Sequence, residues 1–446
     1  MKAVIKSLLV LYLTISSFAF GEELNEKFNN AQKTYGLMTI WSEVKFGFPY
    51  PDKLKSLDWD KKVQEYIPRV INTQNIDDYY YTLMEFATLL DDSHTSVIPP
   101  WGHFKPGYDM PPIEITVIND KFYVFQSGDN DEINSQKVLP GTEILEIDNI
   151  PVQTYFKENV LKYYSQGSKQ ANDAILTVYL LNGPNEEKIR LKIRDLNGND
   201  RDIILSRNST NKDGSPFLYQ FVINLFVENS ITTKELDDKI LYIKIPNFNN
   251  QNISDEFQSV IDNLDNSQVN GLIIDVRNNM GGSSTVCDKI VECLIDKPIT
   301  SPLMNYPHYI AAYKAWGKDE IWSTDKNIIN PRDGRKYLGP IVVLTNAITN
   351  STAEDFAIEL KYGKRAKIVG QKTSGGAGNM LEFKLPFGGT FNLATFKATL
   401  PDESEYIGIG MTPDIKIKIT VKDIINGYDK SLNRGTEILK KVIMTY

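Results

Sequence analysis

A serine stands where an apolar strand gives way to a helix. Residues 341–344 are continuously apolar, as expected of a buried strand, and a short polar turn separates them from Ser351. The helix predicted to begin there has apolar residues at helical spacing on one face, namely Ala353, Phe356, Ala357 and Leu360. A serine at such a turn exposes its hydroxyl beside unpaired backbone N–H groups, which is what acyl-transfer chemistry requires.

Ser351 also has a purely structural interpretation. With Glu354 three residues later it matches the S-x-x-E capping box, in which both side chains bind backbone N–H groups of the first helical turn. By itself the pattern favours the cap, so a catalytic interpretation needs a partner elsewhere in the chain.

The chain has three histidines, each a candidate general base. His94 follows an aspartate pair and Ser93 just beyond a predicted helix, where a loop would present its ring. His103 lies among prolines and His308 in an aromatic stretch, and neither has a polar neighbour that would orient an imidazole. His94 is therefore the candidate, although an isolated histidine is more often a surface or internally satisfied residue.

A glycine pair follows a second apolar strand. Residues 271–276 form this predicted strand, and the turn after it ends with Gly281 and Gly282. Adjacent glycines let backbone N–H groups approach a ligand, but a tight strand–helix turn needs them equally. The turn lacks the lysine–Ser/Thr pair of a Walker loop and the G-x-G-x-x-G fingerprint, so a nucleotide phosphate site is not predicted.

The composition is typical of a soluble globular protein. Of 446 residues, 41% are hydrophobic and 24% charged, and the length predicts two or three domains. The formal charge of −8 contains no block of like charge, which argues against a nucleic-acid partner. Cys287 and Cys293 share a predicted helix on different faces, so we expect two buried thiols and no disulfide.

Residues 1–21 have the pattern of a secretory signal peptide. Lys2 and Lys6 precede an apolar run, and Ala19 and Gly21 are the small residues that predict the cleavage point. The run is short for a membrane anchor, and no later segment approaches the ~18 apolar residues of a spanning helix. We expect an exported protein, periplasmic or extracellular, without stable membrane insertion after cleavage.

Three regions would position the candidate residues. Residues 22–105 are predicted as short helices broken by prolines, 106–209 as a β-rich module, and 210–446 as alternating strands and helices. The alternation implies a largely parallel sheet, whose ligand sites gather at the carboxyl ends of its strands, where Ser351 lies. Residues 174–181 are predicted as a strand, and a hairpin is predicted over 383–396.

The β-rich module resembles a PDZ domain. Its G-x-x-I-x-x-I-[DN]-x-x-x-[VI] run is formed by Gly141, Ile144, Ile147, Asp148 and Val152. The resemblance implies that an extended peptide or a C-terminus binds by strand addition at a sheet edge. A module that serves only as a spacer is equally consistent with the sequence.

Four runs in order resemble the C-terminal processing, or tail-specific, serine peptidase family. They are D-x-R-x-N-x-G-G at 275–282, T-N-x-x-T-x-S-x-A-E at 345–354, G-x-x-T-x-G at 370–375, and GIGMTPDI at 408–415. With the PDZ-like module and an N-terminal pattern ending at 92–95, the resemblance covers nearly the whole mature chain. It implies an α/β fold with a crotonase-like (ClpP-like) catalytic core, a helical N-terminal subdomain and the PDZ-like module.

The family has two catalytic styles, and this chain is similar to the tricorn-like branch. In one style a T-x-G-K lysine activates the serine, but the matching position here is Gly376, and Lys372 lies on the wrong side of Thr373. The other style uses an N-terminal Ser-His pair, which Ser93 and His94 match. The resemblance implies that Ser351 is the nucleophile, His94 the general base, and Ser93 a residue that orients the imidazole.

The remaining members of the set are less sharply indicated. The oxyanion hole would use the N–H of Thr352 with that of Gly281 or Gly282. The tricorn-like set also has a glutamate, for which Glu405 is the choice and Glu403 the neighbouring substitute, unless both are solvated turn residues.

These observations predict an exported serine endopeptidase that cleaves unfolded or tail-exposed polypeptides, held in extended form, by acyl-enzyme chemistry. The alternative is a catalytically weak or inactive peptide- or lipid-binding protein on the same scaffold. No metal or organic cofactor is implied, because no histidines are paired as in H-E-x-x-H zinc sites. The absence of G-x-S-x-G disfavours an α/β-hydrolase esterase.

Overall fold

The computed structural model describes residues 28–103, 105–264 and 269–443, so the predicted signal peptide lies outside the described residues. Over the described ranges, no helix has both the length and the apolar character that crossing a membrane requires. The described chain combines helices with several sheets, which confirms the mixed α/β class.

The N-terminal region is helical, as predicted. Its helices are Asn30–Gly47 (α1), Pro51–Leu57 (α2), Trp59–Ile71 (α3) and Ile76–Thr88 (α4), followed by the short strand Ser96–Ile98 (β1). Asn75 caps α4 by accepting the N–H of Asp78 at 2.8 Å. The apolar faces enclose an aromatic core, in which the rings of Trp59 and Phe86 stack with centroids 4.3 Å apart.

A β-rich module follows. Its strands are Tyr108–Asp109 (β2), Ile113–Ile118 (β3), Lys121–Ser127 (β4), Glu143–Ile147 (β5), Ile150–Pro151 (β6), Gly183–Pro184 (β7), Lys188–Arg194 (β8) and Asp200–Ser206 (β9). An antiparallel sheet contains β3, β4, β5, β8 and β9 in that order, with β6 beside β5. In β8 the isoleucine and leucine side chains are buried while the charged ones face outward, the alternation expected of a sheet with one solvated face.

The predicted strand over 174–181 is wrong, because this run is helical. The module's helices are Asp131–Ser135 (α5), Val152–Phe156 (α6) and Lys169–Ile175 (α7), and α7 continues into a 3₁₀ turn at Leu176–Tyr179. Most of the run is buried, so it is apolar without alternation, and periodicity cannot separate such a run from a buried strand.

Strands and helices alternate in the rest of the chain. The helices are Gln220–Phe226 (α8), Gln251–Asn263 (α9), Ser284–Val291 (α10), Ala311–Ala315 (α11), Thr352–Tyr362 (α12), Val421–Ile425 (α13) and Lys430–Ile443 (α14). The strands are Thr232–Leu236 (β10), Ile240–Lys244 (β11), Gly271–Asp275 (β12), Ile299–Thr300 (β13), Leu303–His308 (β14), Ile321–Asp325 (β15), Ile328–Ile329 (β16), Ile341–Thr345 (β17), Lys367–Gly370 (β18), Met380–Lys384 (β19), Thr390–Ala394 (β20), Lys397–Thr399 (β21) and Ile415–Lys416 (β22).

A six-stranded sheet forms the centre of this region. Its order is β10-β11-β12-β17-β18-β22, with every pair from β11 to β22 parallel and β10 antiparallel at the edge. Both β12 and β17 are buried along their whole length, because α9, α10 and α12 cover one face and α14 the other. The predicted parallel sheet is confirmed, and it brings the turns after β12 and β17 to the same edge.

A late hairpin completes the N-terminal region. The strand β20 pairs with β1 on one side and with β19 on the other, which confirms the predicted hairpin. Phe387 and Phe391 from this hairpin lie in the aromatic core of the N-terminal helices. The loop between α4 and β1 is thereby fixed against the later part of the chain.

The segment after β9 packs on the β-rich module. Phe217 and Tyr219 belong to the module's buried core, and the Tyr219 hydroxyl accepts the N–H of Ile115 at 3.2 Å. Further along, in α8, the Asn224 side chain donates to the Asn278 carbonyl at 3.1 Å. The module is thus joined through α8 to the turn after β12.

Candidate active site

Ser351 lies between β17 and α12 with a strained backbone. Its φ of 53° and ψ of −131° are values that a non-glycine residue rarely adopts. Such a conformation costs on the order of 1–3 kcal/mol and persists where the surroundings enforce it. Here the Ser351 N–H donates to the Gly376 carbonyl at 2.9 Å. The turn resembles a nucleophile elbow, which holds a serine hydroxyl clear of the sheet.

The capping-box interpretation of Ser351 is wrong. Its side chain makes no capping hydrogen bond to α12, and the Glu354 carboxylate instead binds the loop 373–376. The reason lies in the backbone, because a capping serine needs extended torsions whereas Ser351 has a positive φ. Its hydroxyl is left available to another partner.

That partner is His94. The His94 Nε2 lies 3.4 Å from the Ser351 Oγ, although the residues are 257 positions apart in the chain. Burial lowers the pKa of His94 below its usual value, while the nearby Asp92 raises it. A neutral imidazole beside a serine hydroxyl is the arrangement that nucleophilic catalysis needs.

Ser93 and Asp92 hold His94 from two sides. The Ser93 Oγ lies 3.0 Å from the His94 Nδ1. When Nε2 accepts the Ser351 proton, Nδ1 carries the ring hydrogen and donates to Ser93, a tautomer inferred from these contacts. The Asp92 Oδ1 accepts the His94 backbone N–H at 3.0 Å, and Asp92 is itself buried. The sequence analysis missed Asp92, whose only signal was its place directly before the Ser-His pair.

Gly376 stands where the other catalytic style would have its lysine. A Cβ built on Gly376 would lie 2.3 Å from the Ser93 Oγ and 2.4 Å from the Asn350 Oδ1. Non-bonded atoms do not approach so closely, and a close-packed interior leaves little room for neighbouring atoms to move away. Ser93 and Asn350 therefore fill the space that a side chain at position 376 would need.

Glu354 is a second residue whose role the sequence analysis missed. It is fully buried, and its carboxylate accepts the Thr373 hydroxyl and, at 2.8 Å each, the N–H groups of Gly375 and Gly376. Burial raises the pKa of Glu354 to about 8, although these three donors pull it down. Glu354 thus fixes the loop whose carbonyl holds the Ser351 backbone.

The glycine turn after β12 lies against Ser351. A Cβ on Gly281, whose φ is 101°, would lie 2.8 Å from the Ser351 Cβ and 3.0 Å from the Thr352 nitrogen. The Gly281 N–H donates to the Asn279 Oδ1 at 2.8 Å, so it is already used. Within the described residues, the N–H groups of Gly282 and Thr352 have no acceptor, and the Thr352 hydroxyl donates to the Gly282 carbonyl at 2.7 Å.

Glu405 lies at the surface, near this group but paired elsewhere. Its carboxylate forms an ion pair with Lys397, and its side chain is 60% exposed. It lines the same cavity as Ser93, so a role through that cavity stays a prediction. Glu403 is exposed in a turn with a φ of 69°.

Two cavities meet at Ser93. The polar cavity, of about 370 Å³, is lined by residues that include Tyr50, Lys53, Asp92, Trp322, Lys397 and Glu405. The apolar cavity, of about 150 Å³, is lined by residues that include Val97, Tyr164, Val178, Phe221 and Met280. Ser93, whose hydroxyl contacts the His94 ring, lines both cavities.

The other histidines lie outside this group. The expectation that His308 lacks a polar partner is wrong, because its Nε2 lies 2.7 Å from the Ser323 Oγ on the adjacent strand β15. Strand register, which the sequence analysis did not assign there, creates this contact. His103 is exposed in the loop after β1.

Among the described residues, one group has the spacing of metal ligands: Cys287, Asp288 and Glu359, whose ligand atoms lie within 4.8 Å of one another. The Glu359 carboxylate already accepts the Ser301 hydroxyl at 2.7 Å and the Cys287 thiol at 3.8 Å. Burial raises the pKa of the Cys287 thiol, whereas a metal binds the thiolate. The group fits packing between α10 and α12 better than metal binding, and both cysteines are free and buried, as predicted.

Comparison with known proteins agrees with this fold. Residues 239–417 match peptidase family S41. The chain is 26% identical over 363 residues to carboxyl-terminal-processing peptidase 2 of Arabidopsis thaliana, a match that covers 76% of this chain and 60% of that protein. It is 23% identical over 381 residues to the carboxyl-terminal-processing protease of a Picosynechococcus species, covering 85% and 81%. The crystal structure of mature CPAF has the same fold, with a TM-score of 0.68, 19% identity and coverage of 93% and 96%.

The chain is therefore similar in sequence to peptidases. The similarity to peptidase family S41 extends over residues 239–417, and the curated relatives are named as carboxyl-terminal-processing enzymes. The chain spans 60% of the length of the Arabidopsis relative.

Proposed function

We propose that the chain is an exported serine endopeptidase that cleaves unfolded or tail-exposed polypeptides through an acyl-enzyme intermediate. The observation that carries this proposal is the 3.4 Å approach of the His94 Nε2 to the Ser351 Oγ. A serine with positive φ facing a buried histidine from a distant part of the chain has no evident packing role. The names of the curated relatives support a substrate cleaved near its carboxyl terminus.

The acylation step uses Ser351 and His94. The His94 Nε2 takes the Ser351 hydroxyl proton as the Oγ forms a bond to the scissile carbonyl carbon. The tetrahedral intermediate then breaks its C–N bond, and the proton on Nε2 passes to the departing amine. Water repeats the sequence to release the acyl group, so both residues return to their starting states.

The developing oxyanion would lie against the N–H groups of Thr352 and Gly282. The lack of an acceptor for either group among the described residues supports this assignment, whereas the Gly281 N–H is bound to Asn279. Thr352 begins α12, so the positive end of the helix dipole adds to the stabilisation. Each such donor typically contributes about 3 kcal/mol to the transition state.

The imidazolium that forms during the reaction needs support from nearby acceptors. Ser93 would orient the ring through Nδ1, as in the tricorn-like branch. We propose Asp92 as the buried negative charge nearest the imidazole, since it binds the His94 backbone. Glu405 remains the acid implied by the family resemblance and would act through the polar cavity, in which it pairs with Lys397.

The remaining parts of the proposal concern scaffold and location. We take the six-stranded sheet and its helices as the crotonase-like catalytic core, 210–446, with the helical subdomain at 22–105. The antiparallel sheet of 106–209 would be a PDZ-like module that receives an extended peptide. Export to the periplasm or the cell exterior follows from the pattern of residues 1–21, with no nucleic acid, cofactor or metal required.

The alternative is a catalytically weak or inactive peptide- or lipid-binding protein on the same scaffold. Its supporting observation is the position of Glu405, which pairs with Lys397 and not with Ser93 or His94. Such a protein would bind extended polypeptide or lipid without turning it over.

Covalent labelling separates the two possibilities. The mature protein is treated with a fluorophosphonate probe at pH 8, and labelled Ser351 is identified by peptide mass spectrometry. We expect labelling of the wild type, none in Ser351→Ala and little in His94→Ala. The matched control is His308→Ala, which removes the contact between His308 and Ser323 and should label like the wild type. Folded wild-type protein that fails to label would contradict the peptidase.

A further inference from the structure

Residues 303–325 form an arm that projects from the catalytic region. It consists of β14, α11 and β15, and we call it the aromatic arm because of its exposed side chains. Those that are large, apolar and exposed are Tyr309, Ile310, Trp316, Ile321 and Trp322. Soluble proteins rarely leave such side chains clustered in water without a binding role.

The aromatic arm forms part of the rim of the polar cavity. At its base β14 pairs with β21, where Asn305 lies opposite Lys397, a residue of the cavity wall. Trp322 itself lines the cavity. Near the end of β14 the Tyr309 ring packs edge-on against Phe46, with centroids 4.8 Å apart.

The contact with Phe46 ties the arm to the opposite wall. Phe46 lies two residues before Phe48, which begins the cavity lining contributed by the N-terminal helices. The arm therefore spans from one wall to the other, and its exposed aromatic surface is continuous with the cavity that contains Ser93. A chain emerging from this cavity would meet the arm first.

The charges on the arm do not favour an anionic partner. Residues 303–325 contain two lysines and three acidic residues, so the arm has no net positive charge. Lys314 pairs with Glu320 at 2.9 Å, and the Lys318 ammonium lies 5.1 Å from the rings of both Tyr313 and Trp316. An anionic membrane surface or a nucleic acid would favour a net positive patch. What remains is rigid aromatic surface, the kind that dominates binding to polypeptides.

We propose that the aromatic arm binds a second stretch of the substrate, an extended apolar segment of an unfolded polypeptide outside the residues that occupy the active site. This inference rests on the proposed peptidase function. Binding at the arm would make the enzyme prefer long unfolded chains to short peptides. Contacts with the arm stabilise the bound substrate and the transition state equally. They therefore lower KM and leave kcat unchanged.

The test compares a long and a short substrate. Hydrolysis of β-casein, an unfolded protein, and of a six-residue internally quenched peptide is measured for Trp316→Ala and Tyr309→Ala. The matched control is Tyr35→Ala, which removes an aromatic ring of similar exposure (63%, against 65% for Trp316) from α1. We expect KM for casein to rise about fivefold or more in the arm variants, with kcat unchanged, as for loss of a uniform binding contact.

The short peptide and the control variant should keep their constants within about twofold. Equal casein KM in Trp316→Ala, Tyr309→Ala and the wild type would overturn the proposal. A sedimentation experiment in which the wild type is dimeric and the arm variants are monomeric would also overturn it, because the arm would then bind a second copy of the chain. Flotation of wild-type protein, but not Trp316→Ala, with vesicles of phosphatidylcholine and phosphatidylglycerol would assign the arm to membranes instead.

A binding measurement keeps this test separate from catalysis. In a Ser351→Ala background, fluorescence anisotropy of labelled casein reports binding without turnover. If the wild type cleaves neither casein nor the short peptide, the proposed function is contradicted, yet a lower casein affinity in Ser351→Ala/Trp316→Ala than in Ser351→Ala still supports the arm. Unchanged affinity there would contradict the arm alone.

Discussion

In the described part of the chain, two histidines each contact a serine from another element, and the shorter of these two contacts has less of what catalysis needs. His308 lies 2.7 Å from Ser323 on the paired strands β14 and β15, whereas His94 lies 3.4 Å from Ser351. His308 is exposed, whereas His94 is 6% exposed. A short contact on its own therefore does not identify a nucleophile.

The difference lies in what surrounds each serine. Ser323 sits inside a regular strand, opposite Tyr306 in the β14–β15 pairing. Ser351 has a positive φ and directly precedes α12, and the neighbouring N–H of Thr352 has no acceptor among the residues that the structure describes. Only this serine has donors placed where an oxyanion would form. The comparison teaches that strain and free backbone donors, more than distance, mark the reactive pair.

The largest expected effect is the difference in activity between substitutions in the Ser351–His94 pair and substitutions in the Ser323–His308 pair. Ser351→Ala or His94→Ala should lower kcat/KM for a short peptide by roughly 10⁴–10⁶-fold, because nucleophile and base act as a unit. Ser323→Ala and His308→Ala should leave it within about twofold, since they remove a surface hydrogen bond. Comparable losses in both sets would mean that the pairs do not differ in the way proposed.

A smaller but still large loss should follow from filling the space beside Ser93. In Gly376→Ala the new Cβ would lie 2.3 Å from the Ser93 Oγ and 2.4 Å from the Asn350 Oδ1, so one of these side chains must move. Displacing Ser93 shifts the His94 ring, and a displacement near 1 Å typically costs about 10²-fold in rate. Single-turnover rates with an activated ester substrate would measure this.

The control for Gly376→Ala lies two residues further along. A Cβ on Gly378 would meet its nearest atom only at 3.6 Å, although its φ of 136° strains any side chain. Gly378→Ala therefore reports the cost of a strained loop without a clash at Ser93. If both variants lose activity equally, the packing of Ser93 against Gly376 is not the cause.

Much of the reactive pair was predictable from sequence, because local pattern and chemistry coincide there. The bounds of β17 and α12 follow from a continuous apolar run and a helical stripe, and the Ser93–His94 dipeptide follows from the family resemblance. The positive φ of Ser351 was not predictable, since it is imposed by the Gly376 carbonyl, a contact between distant residues. The S-x-x-E pattern is the same whether Glu354 caps a helix or holds another loop.

The second pair shows the limit of local pattern more clearly. His308 and Ser323 are brought together by strand register across a long connection, and nothing within either strand specifies that register. The strand predicted over 174–181 was wrong for a different reason. The run is helical, and its burial removes the periodicity that distinguishes a strand from a helix. Both failures are tertiary in origin.

The buried Glu354 and its half-buried neighbour Asp355 give a third, intermediate test of the support behind Ser351. Glu354→Gln would set an amide N–H₂ against the Gly376 N–H, donor facing donor, and loosen the loop that holds Ser351. We expect kcat to fall about tenfold and the free energy of unfolding to fall by ~1–3 kcal/mol, as for buried donors without acceptors. Urea unfolding and short-peptide kinetics measure the two effects.

Asp355→Asn is the matched control for Glu354→Gln. Asp355 is half-buried, burial raises the pKa of its carboxyl to about 7, and this carboxyl accepts the Tyr406 hydroxyl at 3.4 Å. An amide oxygen can accept that single bond, so stability and kcat should change little. A loss as large as that of Glu354→Gln would show that burial alone, and not the loop donors, makes Glu354 matter.

The smallest expected effect is a shift in pH dependence. Burial lowers the pKa of His94 below 6.5, so the general base stays neutral and active below that pH. The acid limb of kcat/KM should therefore lie below pH 6.5. The same shift makes stability fall as pH drops below 6.5, because the unfolded chain then binds a proton that the folded one binds less readily.

Comparing Asp92→Asn with Glu405→Gln tests which of the two carboxylates supports the His94 imidazolium. The negative charge of Asp92 raises the pKa of His94, so Asp92→Asn should move the acid limb to still lower pH and lower kcat, because the imidazolium loses support. Glu405 is exposed and paired with Lys397, so its charge is screened and Glu405→Gln should move the limb less. The reverse order would make Glu405 the acid that supports His94. Asp92 would then serve only to hold the loop between α4 and β1 through the His94 N–H.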